Sequence, residues 1–202
     1  MSTNRRRPTL KPRKTPSQAR SGDTVAAMLE AAARILERHG FAGYTTNAVA
    51  ERAGVSIGTL YQYFPNKDAL TAALIDRETA PLVDALQQAR QATHFAEGID
   101  ALVGAAVSHQ MRRPELARLL DFEERRLPLG ARDTYIFNHL SGAIVELFGR
   151  RGAPSVDGAI LVAADIIAIV KGLVDAAGER GERDAEHLRL RVGKAVRGYL
   201  RG

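Results

Sequence analysis

Apolar side chains recur three and four positions apart along most of this sequence, the spacing that places them on one face of an α-helix. The first set comprises Val25, Met28, Leu29, Ala32, Ile35 and Leu36. Asp23 or Thr24 can cap the start of this helix, and Gly40 is expected to end it. No useful length of sequence alternates apolar and polar residues as a half-buried strand does. The sequence therefore predicts an all-α fold.

Two short helices are predicted to follow the first. One begins at Thr45 or Thr46 and stops at Gly54, which can adopt the left-handed conformation that ends a helix. The other begins after Ser56, a favoured N-cap residue, and is stopped by Pro65. Helices of this length cannot bury enough surface alone, so we expect them to pack on the first helix as a helix-turn-helix.

One face of the third helix is predicted to remain exposed. Leu60 and Phe64 lie four residues apart and share the apolar face, whereas Gln62 and its neighbours point elsewhere. Polar and aromatic side chains on such a face can reach bases and phosphates in a DNA major groove. Lys67 follows Asn66, the predicted cap of a fourth helix, where a phosphate is favoured. A helical hairpin with a solvated polar face is the structural alternative.

Residues 45–70, TTNAVAERAGVSIGTLYQYFPNKDAL, resemble the DNA-binding segment of the TetR family of transcriptional regulators. Three motifs carry the resemblance in the family's order: AxxAGVS, GTLYxYF and FPNKxAL. The resemblance implies phosphate contacts from Thr45, Thr46, Tyr61, Tyr63 and Lys67, and places Ser56, Gly58 and Thr59 near DNA.

Two positions within this segment bear on sequence reading. Gln62 is the predicted base reader, because its amide can pair bidentately with adenine. Many family members have His where this chain has Tyr63, so Tyr63 is expected to contact either a phosphate or a thymine methyl.

The positive charge of the chain is concentrated at its amino-terminal end. The net charge is +6, and residues 1–70 hold 11 basic and 5 acidic side chains, so the other 132 residues hold 18 of each. Residues 1–20 carry no acidic side chain and three prolines, which predicts a disordered basic arm. The candidate phosphate or minor-groove contacts in this arm are Arg5, Arg6, Arg7, Lys11, Arg13 and Lys14. A tail that only aids solubility is the alternative.

The predicted domains are the arm (1–20), a helix-turn-helix domain (21–67) and a larger helical domain (68–202) for effector binding and dimerisation. Breaks that divide the last region into six helices are predicted at Gly98, Pro114, Pro128–Gly130, Gly149–Pro154 and Gly178–Gly181.

The last two predicted helices have apolar surface in need of cover. The segment 156–177 is apolar almost all round, and the final helix carries a stripe of Leu188, Val192, Val196 and Tyr199. The resemblance implies that these helices pair with their copies in a homodimer. Burial within a monomer is the alternative. A symmetric dimer would read a palindromic operator.

Polar and aromatic residues on apolar helical faces are candidates for an effector pocket. They are His109, Phe122, Glu123, Tyr135, Phe137, His139 and Asp165. Core polar groups satisfied by neighbours or by water are the alternative for each.

Several function classes find little support. The chain has no Cys, no phosphate-binding or hydrolase motif, and its five histidines lie far apart, so neither an enzyme nor a metal or cofactor site is expected. No apolar segment suits a signal peptide or membrane span, and a cytoplasmic location is expected. The leading hypothesis is a repressor that binds double-stranded DNA and is released by an unknown small-molecule effector. A ligand-independent factor that organises DNA or recruits a protein is the alternative.

Overall fold

A computed structural model of the chain describes residues 19–201, and within that range the backbone forms nine helices and no strand. They are α1 (Ala19–Gly43), α2 (Thr46–Ala53), α3 (Ile57–Tyr63), α4 (Lys67–Arg90), α5 (Phe95–Arg112), α6 (Pro114–Arg126), α7 (Gly130–Leu147), α8 (Ala159–Glu179) and α9 (Ala185–Tyr199). The all-α prediction is confirmed, as are the six helices after Asn66. The six candidate residues of the basic arm lie outside the described residues.

The chain divides into two compact units. One ends at Arg77 and also contains Phe122–Pro128, and the other comprises Glu78–Asp121 and the chain from Leu129 onward. The end of α6 therefore belongs to the same unit as α1, α2 and α3, which the spacing of residues along the sequence does not reveal.

The first unit is built on the predicted apolar face of α1. Met28, Ala32 and Leu36 are buried there, and Leu60 and Phe64 of the α3 segment are buried in the same unit. The predicted ends of α1 were only partly right. Helical geometry breaks at Gly40, with φ 58°, but the helical turn continues to Gly43, and α1 begins at Ala19 rather than at a cap on Asp23 or Thr24.

A proline lies inside α4. Pro81 has no backbone N–H, so it cannot donate the helical hydrogen bond to the carbonyl of Arg77, four residues earlier. Arg77 is also the last residue of the amino-terminal part of the first unit. The continuity of α4 is thus weakest where the division between the units falls.

In the second unit, α5 packs against α7, α8 and α9. The prediction of a helix break at Gly98 is wrong, because Gly98 lies in the first turns of α5 and is buried. A Cβ atom there would lie 2.4 Å from Cδ2 of Leu147 on α7. This glycine allows a close approach of two helices. The break occurs earlier, between Arg90 and Phe95.

Helix α8 buries only one side in the described chain. Ile166 and Val174 are buried, whereas Ile160 and Leu161 are 72% and 68% exposed. On α9, Leu188, Val192 and Val196 are buried within the single chain. Tyr199 departs from the predicted apolar stripe, because it is exposed and its hydroxyl donates a hydrogen bond of 2.5 Å to Asp165.

Candidate DNA-binding surface

Helix α2 begins with two threonines in different roles. The Oγ1 atom of Thr45 accepts a hydrogen bond of 3.1 Å from the backbone N–H of Ala48, so Thr45 is the N-cap. Thr46 is the first helical residue, and its Oγ1 atom lies 3.1 Å from the hydroxyl oxygen of Tyr61 on α3. The hydroxyls of Thr46 and Tyr61, both predicted to contact phosphates, are therefore neighbours. Gly54 ends the helix with φ 68°, as predicted.

Helix α3 presents the expected division between buried and exposed residues. Ser56 caps it by accepting a hydrogen bond of 3.0 Å from the N–H of Thr59, and the two hydroxyls lie 2.8 Å apart. Leu60 is fully buried, whereas Tyr61 is 42% exposed and Gln62 is also exposed. Since the buried side chain fixes the rotation of this short helix, the polar face turns outward.

Two smaller features complete the α3 surface. Gly58 is exposed, and a Cβ atom there would have only the Oγ atom of Ser56 within 4 Å, at 3.7 Å. The backbone can therefore be approached closely at this position. Tyr63, at the last position of α3, is half-buried.

The start of α4 supplies the cation of this surface. Asn66 caps α4 by accepting a hydrogen bond of 2.8 Å from the N–H of Ala69. Lys67 is exposed, and its Nζ atom lies 5.3 Å from the centroid of the Tyr44 ring and donates a hydrogen bond of 3.5 Å to the Tyr44 carbonyl. Tyr44 itself is buried and hydrogen-bonded to Thr71 at 3.0 Å. Burial raises the pKa of the Tyr44 hydroxyl. Lys67 thus rests on a neutral, fixed aromatic ring.

A charged cluster centred on Arg126 brings together residues that lie far apart in the sequence. Arg126, the last residue of α6, donates a hydrogen bond of 2.6 Å to Asp68 of α4 and one of 2.6 Å to Glu123. Residues 68 and 126 are 58 positions apart, so no helical spacing links them. Glu123 had been predicted as a pocket residue, and in the structure its carboxylate is buried against Arg126.

The remaining pocket candidates lie in different surroundings. His109 lines a cavity of about 10 Å³ together with Glu78, Arg113, Leu116, Ala117 and Leu120. Its Nδ1 atom lies 3.1 Å from the carbonyl oxygen of Glu78, and burial lowers the pKa of its imidazole. Such a cavity has room for one water molecule.

The other candidates are mainly at the surface. Phe122 is exposed and its ring lies 5.7 Å from that of Phe41. Tyr135 and His139 stack with ring centroids 3.9 Å apart, and Phe137 is exposed. The carboxylate of Asp165 accepts a hydrogen bond from the hydroxyl of Tyr199.

Residues 19–201 contain no group of three or more metal-binding side chains. No helix in this range is both long and apolar enough to cross a membrane.

A capped pair of short helices with an outward polar face and a flanking lysine defines the class of helix-turn-helix DNA-binding proteins. The family profile described as "Bacterial regulatory proteins, tetR family" matches residues 28–74. The profile described as "Tetracyclin repressor-like, C-terminal domain" matches residues 95–200. The chain therefore belongs to the TetR family of transcriptional regulators, and the resemblance seen in the sequence is confirmed. The family is one of DNA-binding regulators and not of enzymes.

The alignments with two named relatives each cover about half of this chain. The transcriptional regulator UidR of Escherichia coli K12 is 32% identical over 117 residues, which cover 51% of this chain and 60% of UidR. The nucleoid occlusion factor SlmA of Pasteurella multocida is 30% identical over 113 residues, covering 53% of this chain and 56% of SlmA. The chain thus spans less than two thirds of the length of either relative.

Solved structures support the fold across most of the chain. The transcriptional regulator FadR from Bacillus subtilis, solved in complex with stearoyl-CoA, superposes with a TM-score of 0.71 at 18% identity. The match covers 85% of this chain and 96% of that protein. At this identity the likeness shows the shared fold alone.

Proposed function

We propose that this chain is a sequence-specific repressor that binds a palindromic operator as a homodimer and is released by a small-molecule effector. The observation that carries the proposal is the exposed face of α3, where Tyr61 and Gln62 project while Leu60 anchors the helix in the core. We place this activity in the cytoplasm, which holds the chromosome. The repressor assignment is supported by the family profile matched by residues 95–200.

The DNA contacts are divided between anchoring and reading. Thr45, Thr46, Ser56, Thr59, Tyr61 and Lys67 supply hydroxyl groups and a cation for phosphates, and Gly58 allows the backbone to come close. Gln62 reads a base, because its amide matches the donor and acceptor of adenine in the major groove. Tyr63 contacts either a phosphate or a thymine methyl. The basic arm, residues 1–20, adds phosphate contacts.

The homodimer forms through the exposed faces of α8 and α9. Ile160 and Leu161 of α8 and Leu190 of α9 are large apolar side chains left at the surface of residues 19–201. Burying them against a second copy removes this apolar area from water. Leu161→Glu should therefore shift a dimer to a monomer in sedimentation equilibrium. Phe137→Glu, a change at an exposed apolar residue of α7, is the matched control.

Effector binding is assigned to the second unit, with His109 as the first candidate contact. It lines a cavity and is accompanied by the cationic side chain of Arg113. The FadR structure, which holds stearoyl-CoA, supports effector binding within this fold. Tyr135, Phe137, His139 and Asp165 of the same unit are kept as secondary contacts, whereas Phe122 and Glu123 belong to the first unit.

Selection of bound duplexes from a random pool tests the proposal. The wild-type chain should select a palindrome, Tyr61→Ala should bind DNA too weakly to select one, and Gln62→Ala should lose discrimination at one position of each half-site. Gln87→Ala, at an exposed glutamine of α4, is the control and should keep the consensus. Compounds that release the palindrome identify the effector. Binding without a consensus would refute the repressor assignment.

A second candidate is a ligand-independent factor that organises DNA or recruits a protein. Similarity to the nucleoid occlusion factor SlmA supports it. A palindrome that no compound releases would favour this candidate.

A further inference from the structure

The guanidinium of Arg126 lies between two carboxylates within the first unit. Its Nη2 atom is 2.6 Å from Oδ1 of Asp68 and 2.6 Å from Oε2 of Glu123, and its Nε atom is 3.0 Å from the same Glu123 oxygen. One guanidinium therefore forms ion pairs with two carboxylates. These are strong, charge-assisted hydrogen bonds by their length.

The position of Asp68 places this cluster where its charge can affect a DNA phosphate at Lys67. Asp68 follows Lys67 directly and lies in the first turn of α4, the end of the helix where Lys67 is exposed. Its side chain is 25% exposed, so its charge is not shut off from solvent. A carboxylate at this end of the helix is stabilised by the helix dipole, but it repels a DNA phosphate that approaches Lys67.

Local charge shows what Arg126 contributes. Lys67 and Arg126 together balance Asp68 and Glu123, so the cluster is neutral. Without Arg126 the same place carries one net negative charge beside the proposed phosphate contact. Asp68 is the residue next to Lys67, and charges closer together than the screening distance, about 10 Å at 0.1 M salt, still interact.

We propose that Arg126 is a positioning residue for DNA binding, which keeps the start of α4 receptive to a phosphate by neutralising Asp68 and Glu123. It does not itself contact DNA. This inference rests on the proposed function, because it requires a phosphate at Lys67. It assigns to α6 a part in DNA affinity that the helix-turn-helix motif does not contain.

Equilibrium binding of the full chain to its selected operator duplex tests the proposal. At 0.1 M salt, Arg126→Gln should weaken binding by about three- to tenfold, and the difference from wild type should shrink at 0.5 M salt as the charges are screened. Adding Asp68→Asn to Arg126→Gln should restore most of the affinity. A purely structural role for Arg126 would not give this rescue.

Two further variants keep the test decisive if Arg126→Gln folds poorly, since that change leaves Glu123 buried without its cation. Asp68→Asn alone frees part of the positive charge of Arg126 and should tighten binding about threefold. Arg126→Lys retains the charge and should bind as wild type does. Arg118→Gln removes an equal charge from an exposed ion pair of α6 with Glu115 and is the control.

The outcomes separate this inference from the proposed function. Unchanged affinity in Arg126→Gln, or a double variant as weak as Arg126→Gln, overturns the inference even if Lys67→Gln weakens binding. Equal binding by wild type and Lys67→Gln overturns the phosphate contact at Lys67, and the inference with it. A wild-type chain that selects no duplex overturns the proposed function itself.

Discussion

The hydroxyl oxygens of Thr46 and Tyr61 lie 3.1 Å apart and join the first residue of α2 to the exposed face of α3. Neither residue needs this hydrogen bond to complete its helix, since Thr45 caps α2 and Ser56 caps α3. One of these hydroxyls donates to the other, so the pair presents one remaining O–H donor at this point of the surface. A phosphate oxygen there can accept from that donor, and from both hydroxyls when it replaces their mutual hydrogen bond.

Tyr61→Phe tests this pairing because it removes only the hydroxyl. Affinity for the operator should fall about tenfold or more, since a hydrogen bond to a charged group contributes about 1.5–3 kcal/mol. The selected consensus should stay the same, because a phosphate contact carries no base information. Fluorescence anisotropy with the operator and with a scrambled duplex measures both effects.

A double-mutant cycle provides the control. Thr46→Val should weaken binding less in the Tyr61→Phe background than in the wild type, because the two hydroxyls share one ligand. Additive losses would show that each hydroxyl binds a separate group.

The contact between Gly98 and Leu147 predicts an unusually costly alanine substitution. A Cβ atom at Gly98 would lie 2.4 Å from Cδ2 of Leu147, whose side chain is fully buried. Gly98→Ala should therefore destabilise the protein by about 1–3 kcal/mol, which exceeds the roughly 0.5–1 kcal/mol that alanine gains in a helix. Denaturant unfolding measures the difference.

Gly104→Ala is the matched change in the same helix. A Cβ atom at Gly104 would meet nothing within 4 Å, so only the gain in helix propensity remains and stability should rise. Equal effects of the two substitutions would contradict the proposed role of Gly98 in helix packing.

The lowered pKa of His109 predicts that the stability of the folded protein depends on pH. Burial lowers its pKa below the usual 6.5, nearby Arg112 and Lys171 lower it further, and contact with Glu78 opposes them. The unfolded chain then binds the proton more readily than the folded chain. The free energy of unfolding should therefore fall as the pH is lowered from above 6.5 toward the depressed folded-state pKa.

His109→Asn isolates this contribution, since asparagine can still hydrogen-bond to Glu78 but cannot take up a proton. The variant should lose less stability than wild type between pH 7.5 and 5, conditions chosen around the usual histidine pKa of about 6.5. Parallel losses in urea titrations at the two pH values would assign the pH dependence to other groups.

Deletion of residues 2–18 tests the basic arm. It removes six cationic side chains, Arg5, Arg6, Arg7, Lys11, Arg13 and Lys14. Each lost phosphate contact should reduce the slope of log affinity against log salt by about 0.9. An unchanged slope would mean that the arm serves solubility alone.

Local signals predicted the DNA-binding end of the molecule well. Gly54 and Ser56 set their helix boundaries through backbone conformation and capping, which depend only on near neighbours. Leu60 and Phe64 are buried as their four-residue spacing requires. For the same reason, the breaks at Pro114 and Pro128 agree with the ends of α5 and α6.

Features that depend on residues far apart in the chain could not be predicted from the sequence. Gly98 reads as a helix breaker until Leu147 is seen against it. Glu123 was predicted as a pocket residue, and the link between its neighbour Arg126 and Asp68 could not be predicted, because 58 positions separate those two residues. The polar and aromatic pocket candidates were predicted from helical spacing alone, and a helical face does not specify which residues pack on it.

Pro81 within α4 has a consequence for how the protein unfolds. Because Pro81 cannot donate a helical hydrogen bond at the division between the two compact units, we expect α4 to transmit unfolding poorly from one unit to the other. Amide protection should therefore change in level across residues 77–81, with each unit opening at its own free energy. Unfolding energies measured by amide exchange in α5 would then report the second unit, and those measured in α1 the first.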